Sequence, residues 1–308
     1  MVAFRFFMVL AIAVGINFLG NIDFAVSKAM AAEFQSLEKW QAQADKWLAK
    51  GRQDKALAVY TEALEQYPAN IELLLKRGKL CLNLGRSQEA GHDFQKVLFM
   101  DDVNVDAYLG LAIKSGCDGD MKDSFDYFAK AIALDERNAK AYMLRGKFYY
   151  EGIGDFEGAL ADYGRAEELA APEQMPELLA NMMQTGENFS VYYPEGWAET
   201  EALANRLLNL PDLPQMYRGR AYFTRMNAHE AMGDYRMALL DTQELMKLYS
   251  DNKDNQALIL YNQSRFLAKL NMPVEAKKAM LAALQRNPHL DLPRRYEMDP
   301  EFAQYGNF

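Results

Sequence analysis

The sequence predicts an all-α fold, an array of antiparallel helix hairpins, and three observations predict it. The segments 37–70, 71–104 and 105–138 align without a gap at a period of 34 residues. A fixed period of this length is the mark of stacked helical hairpins. Within each period one skeleton recurs: Gly51, Ala56, Tyr60 and Ala63 return as Gly85, Ala90, Phe94 and Val97, and again as Gly119, Ser124, Phe128 and Ala131. On both sides of each glycine the apolar residues step by three and four, as one face of a helix does.

The first 31 residues stand apart from the array. Arg5 precedes an apolar run from Phe6 to Leu19, and Ala29, Met30 and Ala31 give a small-x-small pattern ahead of Ala32. That is the layout of a secretory signal peptide, and the run is short for a membrane span. The expectation is cleavage and export to a periplasmic or extracellular space. The alternative is an uncleaved anchor held in the membrane by residues 6–20.

Each later element follows from the period. In the first repeat Trp40, Ala44 and Trp47 lead to Gly51, and Pro68 closes the unit. In the second, Leu74, Gly78 and Cys81 share a face, Gly85 marks the turn, and Ala90, Phe94, Val97 and Leu98 form the stripe of the second helix. Small residues at the eighth and twentieth places let paired backbones approach, and an aromatic at the twenty-fourth fills the space beside them. The fourth repeat, 139–173, keeps Tyr142, Gly146, Tyr149, Ala159, Tyr163 and Ala166 but carries one extra residue around Gly152, Ile153 and Gly154. Residues 174–218 break the period. They read as a degenerate hairpin, helical over 173–184 and 197–208, with an aromatic loop of Phe189, Tyr192, Tyr193 and Trp197 expected to clamp the insertion onto its scaffold. Two more repeats follow at 219–252 and 257–290, separated by a polar link at 253–256. Residues 291–308 read as a tail that caps the last repeat.

Composition narrows the function. Formal net charge is −9 and the pI is near 5.1, the wrong sign for neutralising phosphates, so nucleic acid is not an expected partner. No basic run suits an acidic membrane surface, which leaves the N-terminal segment as the one route to a membrane. The three histidines, His92, His229 and His289, fall in different repeats without metal-ligand spacing. Asp118, Asp120 and Asp123 invite a calcium loop, but Lys122, Asp123 and Ala129 stand where its fifth, sixth and twelfth residues belong. They also fall on the repeat turn, where Asp and Gly are expected anyway. Nucleotide-binding, esterase and zinc-protease motifs are absent. The reading is therefore no enzyme, no metal, no cofactor and no small-molecule substrate.

The skeleton resembles the tetratricopeptide repeat family, carried best by Trp40, Ala44, Trp47, Ala56, Tyr60, Ala63 and Pro68. The resemblance covers about two-thirds of the chain and implies a right-handed superhelical solenoid whose first helices line a concave groove. In that family the fifth, ninth and twelfth places of the first helix point into the groove. Carried over, the fifth places are Leu75, Leu109, Met143, Phe223 and Tyr261, with Gln41 the polar exception. Lys79, Ile113 and Lys147 stand at the ninth, and Leu82 and Tyr150 at the twelfth. The implied function is a non-catalytic scaffold that binds a peptide or amphipathic helix of a protein partner. The alternative is a structural subunit of a cell-envelope assembly, gripping partners by its convex face or ends. Cys81 and Cys117 lie on first helices of neighbouring repeats, and export would permit a disulfide between them.

Overall fold

The structure, a computed structural model, describes residues 37–287. The expected signal peptide or anchor and the expected capping tail lie outside the described residues. Among the described residues are fourteen α-helices and no strand. They run in pairs: α1 (37–48) with α2 (Gln53–Gln66), α3 (Ile71–Asn83) with α4 (Ser87–Met100), α5 (Val105–Cys117) with α6 (Met121–Leu134), and α7 (Ala139–Ile153) with α8 (Phe156–Leu169). After them come α9 (Met175–Ser190) with α10 (Trp197–Leu208), α11 (Gln215–Ala231) with α12 (Tyr235–Leu248), and α13 (Lys253–Lys269) with α14 (Pro273–Arg286). The chain divides into two compact units, Met1–Tyr127 and Phe128–Phe308, the boundary falling inside α6.

The hairpin turns share one chemistry. Gly51, Gly85, Gly119, Gly154 and Gly233 all adopt positive φ, between 67° and 87°. A side chain added at any of them would meet nothing within 4 Å, so the glycine serves the left-handed backbone and not the packing. Asn271 takes the same place in the last hairpin at φ 60°. The residue after each of these closes the turn by donating its N–H five residues back, as Arg86 does to the Cys81 carbonyl at 2.8 Å and Asp120 to that of Ser115 at 2.8 Å. In the fourth repeat the extra residue is absorbed here: Asp155 reaches back six, to Tyr149, at 2.8 Å. Asparagine starts the next unit. Asn70, Asn104, Asn138 and Asn252 each accept the backbone N–H three residues on, at 2.9 to 3.1 Å.

Between the paired helices the expected packing is present. Ala56, Ala90, Ser124, Ala159, Ala238 and Ala276 are all buried. A Cβ built on Gly78 would lie 2.7 Å from Phe94 Cε1, and one on Gly110 would lie 2.5 Å from Phe94 Cζ. The Phe94 ring is thus pressed between two helix backbones. Ser124 keeps its hydroxyl satisfied by donating to the Ala112 carbonyl at 2.8 Å.

Two expectations are corrected. The segment 174–218 is a full hairpin, because α9 continues to Ser190 where a loop was expected. Gly186 is tolerated mid-helix because α10 passes close beside it: a Cβ there would stand 2.7 Å from Thr200 Oγ1. Phe189 adds a stacked contact with Phe156 at 3.8 Å between centroids. The polar link at 253–256 is the first turn of α13, started by the Asn252 cap.

Candidate functional site

In the first unit the candidate lane lies on α3 and α5, which pack side by side. Leu75, Lys79 and Leu82 follow one another at helical spacing on α3, and Ile113 comes from α5. Leu75, Leu82 and Ile113 are half-buried and Lys79 is exposed, whereas Leu109 is buried, with 3% of its surface accessible. The polar places are spoken for by neighbouring first helices. Gln41 donates to Glu72 at 2.7 Å, and Lys79 pairs with Asp106 at 3.0 Å. Both ties are exposed, so each is weak and open to exchange.

In the second unit Lys147, Tyr150 and Phe223 are half-buried, while Met143 and Tyr261 are 4% and 6% accessible. Met143 is covered because Leu178, in the first turn of α9, closes over it beside Tyr163 and Ala166. Tyr261 packs with Ala276, Met280 and Leu239. Met143 thus faces the next helix pair, Tyr261 is covered by its own partner helix and the preceding pair, and Leu109, Met143 and Tyr261 offer little free surface. Lys147 leans on Glu151 at 3.8 Å, Asn227 donates to Glu187 at 3.1 Å, and Arg265 pairs with Glu230.

A recurrent polar feature went unread in the sequence. Arg77 forms a bidentate pair with Asp93, Nε to Oδ2 at 2.8 Å and Nη2 to Oδ1 at 2.6 Å. Arg145 meets Asp162 at 2.7 and 2.8 Å, and Arg225 meets Asp241 at 2.6 Å. All three join the seventh place of a first helix to the twenty-third place of its second helix, once the extra residue of the fourth repeat is allowed for. The aspartates are buried. Burial pushes the Asp241 carboxyl up, against the opposing pull of Arg225. Buried His229 stands beside that pair, its Nε2 3.7 Å from Asp241 Oδ2 and without a hydrogen-bond partner. Tyr163 shares a hydrogen bond with Thr185 Oγ1 at 3.0 Å in the core, and burial pushes its phenol up to about 12.

Cys81 and Cys117 are both free cysteines in this structure. Their register explains it. Cys81 holds the eleventh place of its repeat and Cys117 the thirteenth, and two residues of helix rotate a side chain by about 200°. Cys81 therefore faces the core, where burial pushes its thiol up, and Cys117 faces solvent. The aspartates of the third turn have structural tasks. Asp118 accepts from Ser87 at 2.6 Å and pairs with Lys114 at 2.9 Å, and Asp120 accepts the Asp123 N–H at 3.0 Å. Among the described residues no group of three or more acidic, histidine or cysteine side chains is placed to hold a metal ion. Nor is any described helix long and apolar enough to cross a membrane.

The aromatic segment between α9 and α10 divides in two. Phe189 lies sandwiched between Phe156, at 3.8 Å, and Tyr193, at 4.4 Å, and Phe156 in turn meets the edge of Tyr150 at 6.1 Å. That half clamps the segment to the fourth repeat. The other half points outward: Val191 and Tyr192 are 67% and 78% accessible.

No family model matches this sequence, and no curated protein matches it. Solved structures do. The chain is similar to PilW, described as a widely conserved type IV pilus biogenesis factor, at TM-score 0.59 and 15% identity over 73% of this chain and 97% of that one. It is similar to a thermophilic tetratricopeptide repeat protein of Thermus thermophilus at TM-score 0.53 and 19% identity, covering 61% of this chain and 97% of that one. It also matches the APC/C hetero-tetramer Cut9–Hcn1 at TM-score 0.52 and 17% identity, spanning 81% of this chain but 46% of that one. At these identities the likeness concerns the fold: the chain is an all-α helical-repeat protein with a tetratricopeptide-like architecture.

Proposed function

We propose that the chain is an exported, non-catalytic scaffold that captures a peptide or amphipathic helix of a partner protein on its first-helix face. The tetratricopeptide-like fold is commonly a protein-interaction scaffold, which supports the general reading. The observation that carries the finer one is the lane on α3 and α5. Leu75, Leu82 and Ile113 keep part of their apolar surface in solvent, with Leu75 and Leu82 packed by the remainder against the buried core. Apolar contact there supplies affinity, and exchange of the exposed Lys79–Asp106 pair for a partner's charges supplies register. Residues 1–31 would direct the export.

The test replaces Leu75, Leu82 and Ile113 together by Ser and compares the partners retained from the native compartment with those of the parent chain. Retention should be lost while the helical circular dichroism stays the same. Full retention by the variant would sink the groove reading.

A further inference from the structure

The acidic and aromatic surface around Tyr192 stands on residues mostly separate from the α3–α5 lane. Glu151 to Glu201 holds twelve acidic side chains against one basic side chain, Arg165; of the twelve, Asp162 is buried against Arg145, and Glu151 and Glu167 pair with Lys147 and Arg206. Arg165 is itself paired with Glu168. Into this setting the ends of α7 and α9 project exposed apolar groups. Ile153 is 53%, Val191 67%, Tyr192 78% and Tyr193 51% accessible. Between the two helix ends lies an open hollow of about 560 Å³ lined by Tyr150, Glu151, Gly154, Asn188, Val191 and Tyr192. Tyr150, in its lining, meets Phe156 at 6.1 Å, and Phe156 is itself stacked on Phe189. Glu195 and Glu199, in and just after the turn, have no ion-pair partner among the described residues.

Exposed rings and carboxylates of one sign attract the same ligand. A ring face draws a cation by its quadrupole, and the surrounding carboxylates raise the local concentration of positive charge. A neutral apolar partner would leave the carboxylates unanswered, and an anionic membrane would be repelled by them. We propose that this hollow docks a cationic peptide segment of a partner protein, with Arg or Lys side chains laid on Tyr150 and Tyr192 and aliphatic side chains against Val191 and Ile153. Tyr150 is held from behind by Phe156, which is stacked on Phe189, so this ring loses little freedom on binding.

The test uses a fluorescein-labelled peptide of repeating Arg-Ala-Leu units and its twin with Glu for every Arg, read by anisotropy with the full chain. The parent chain should bind the Arg peptide, more weakly as salt rises, and should ignore the Glu twin. Tyr192→Ala keeps every charge and should weaken binding about tenfold, whereas Tyr192→Phe keeps the ring and should bind as the parent does. Glu195→Gln with Glu199→Gln should weaken it several-fold with the rings intact. The Leu75, Leu82 and Ile113 to Ser variant should bind the Arg peptide normally, which separates this surface from the α3–α5 lane. Equal binding by Tyr192→Ala would mean plain ion exchange and would overturn the proposal. So would equal binding of the Glu twin, or retention of the parent chain by phosphatidylcholine vesicles with no binding of the peptide.

Discussion

The ion pair of Arg77 and Asp93 gives a quantitative test of how a hairpin is held. Asp93 is fully buried, while the Arg77 side chain keeps 21% of its surface accessible. The two partners therefore differ in what they lose when left alone. Arg77→Met strands a carboxylate with no water to replace the two bonds at 2.8 and 2.6 Å. Removing one partner of a buried pair costs about 3–5 kcal/mol. Adding Asp93→Val removes the stranded charge and installs the residue that the first repeat carries at the same place, Val59. The double variant should then recover to within about 1 kcal/mol of the parent or exceed it, since apolar replacement of a buried pair is often neutral or stabilising. Urea titration followed by helical circular dichroism gives both values from the shift in midpoint. A cost below about 1 kcal/mol for Arg77→Met, or a double variant no better than the single, would refute the assignment of the penalty to the buried carboxylate.

Two further perturbations probe the same cores. Gly78→Ala and Gly110→Ala drive a methyl to 2.7 and 2.5 Å from the Phe94 ring, respectively, and the ring is fully buried. Each should cost about 1–3 kcal/mol, more than the helix preference for Ala returns, and Phe94→Leu should relieve both; stabilisation by either single change would end the argument. Tyr163 has a phenol raised to about 12 from an ordinary value of 10.0. Below pH 10 both states hold the proton and nothing is lost. Between 10 and 12 the unfolded chain ionises first, so stability falls by about 2–3 kcal/mol as pH rises through that window. Tyr163→Phe should remove this alkaline loss, at a cost near neutral pH of about 1 kcal/mol for the lost Thr185 bond. Alkaline denaturation curves of the two proteins that keep the same slope would refute it.

The fold was legible because its determinants are local and repeat. Each turn glycine is forced by a positive φ that few other residues adopt, and each small residue at the twentieth place by close helix approach, so both recur at fixed spacing. What lay between repeats was harder to read. The family register says which way Met143 points, but not that the next helix pair has closed over it, because Leu178 arrives from a segment that breaks the period. The helix expected to end at 184 runs on to Ser190, through Gly186, where α10 passes close enough that a Cβ would stand 2.7 Å from Thr200 Oγ1. The Arg–Asp pairs left a signal that could have been found. The seventh and twenty-third places hold Arg and Asp together in three repeats, and Gln43 with Val59, Leu111 with Tyr127, and Gln263 with Ala279 in the others. Neither charge ever occurs without its partner, as expected if an unpaired one is costly in that position.

The polar contacts of this chain fall into two classes whose energetics suit different tasks. The Arg–Asp pairs lie within a hairpin with their carboxylates out of water, and breaking one leaves a buried charge. They serve to fix which two helices pair and at what register. The ties between successive first helices, Gln41 with Glu72 and Lys79 with Asp106, lie in solvent, and each contributes little. A partner that displaced an exposed tie would lose less than about 1 kcal/mol for it, while one that reached the inner pairs would unfold the repeat. The face that is inexpensive to rearrange is therefore the face on which Leu75, Leu82 and Ile113 remain half-open. That coincidence is the physical reason to look for partner exchange along α3 and α5 rather than between the paired helices.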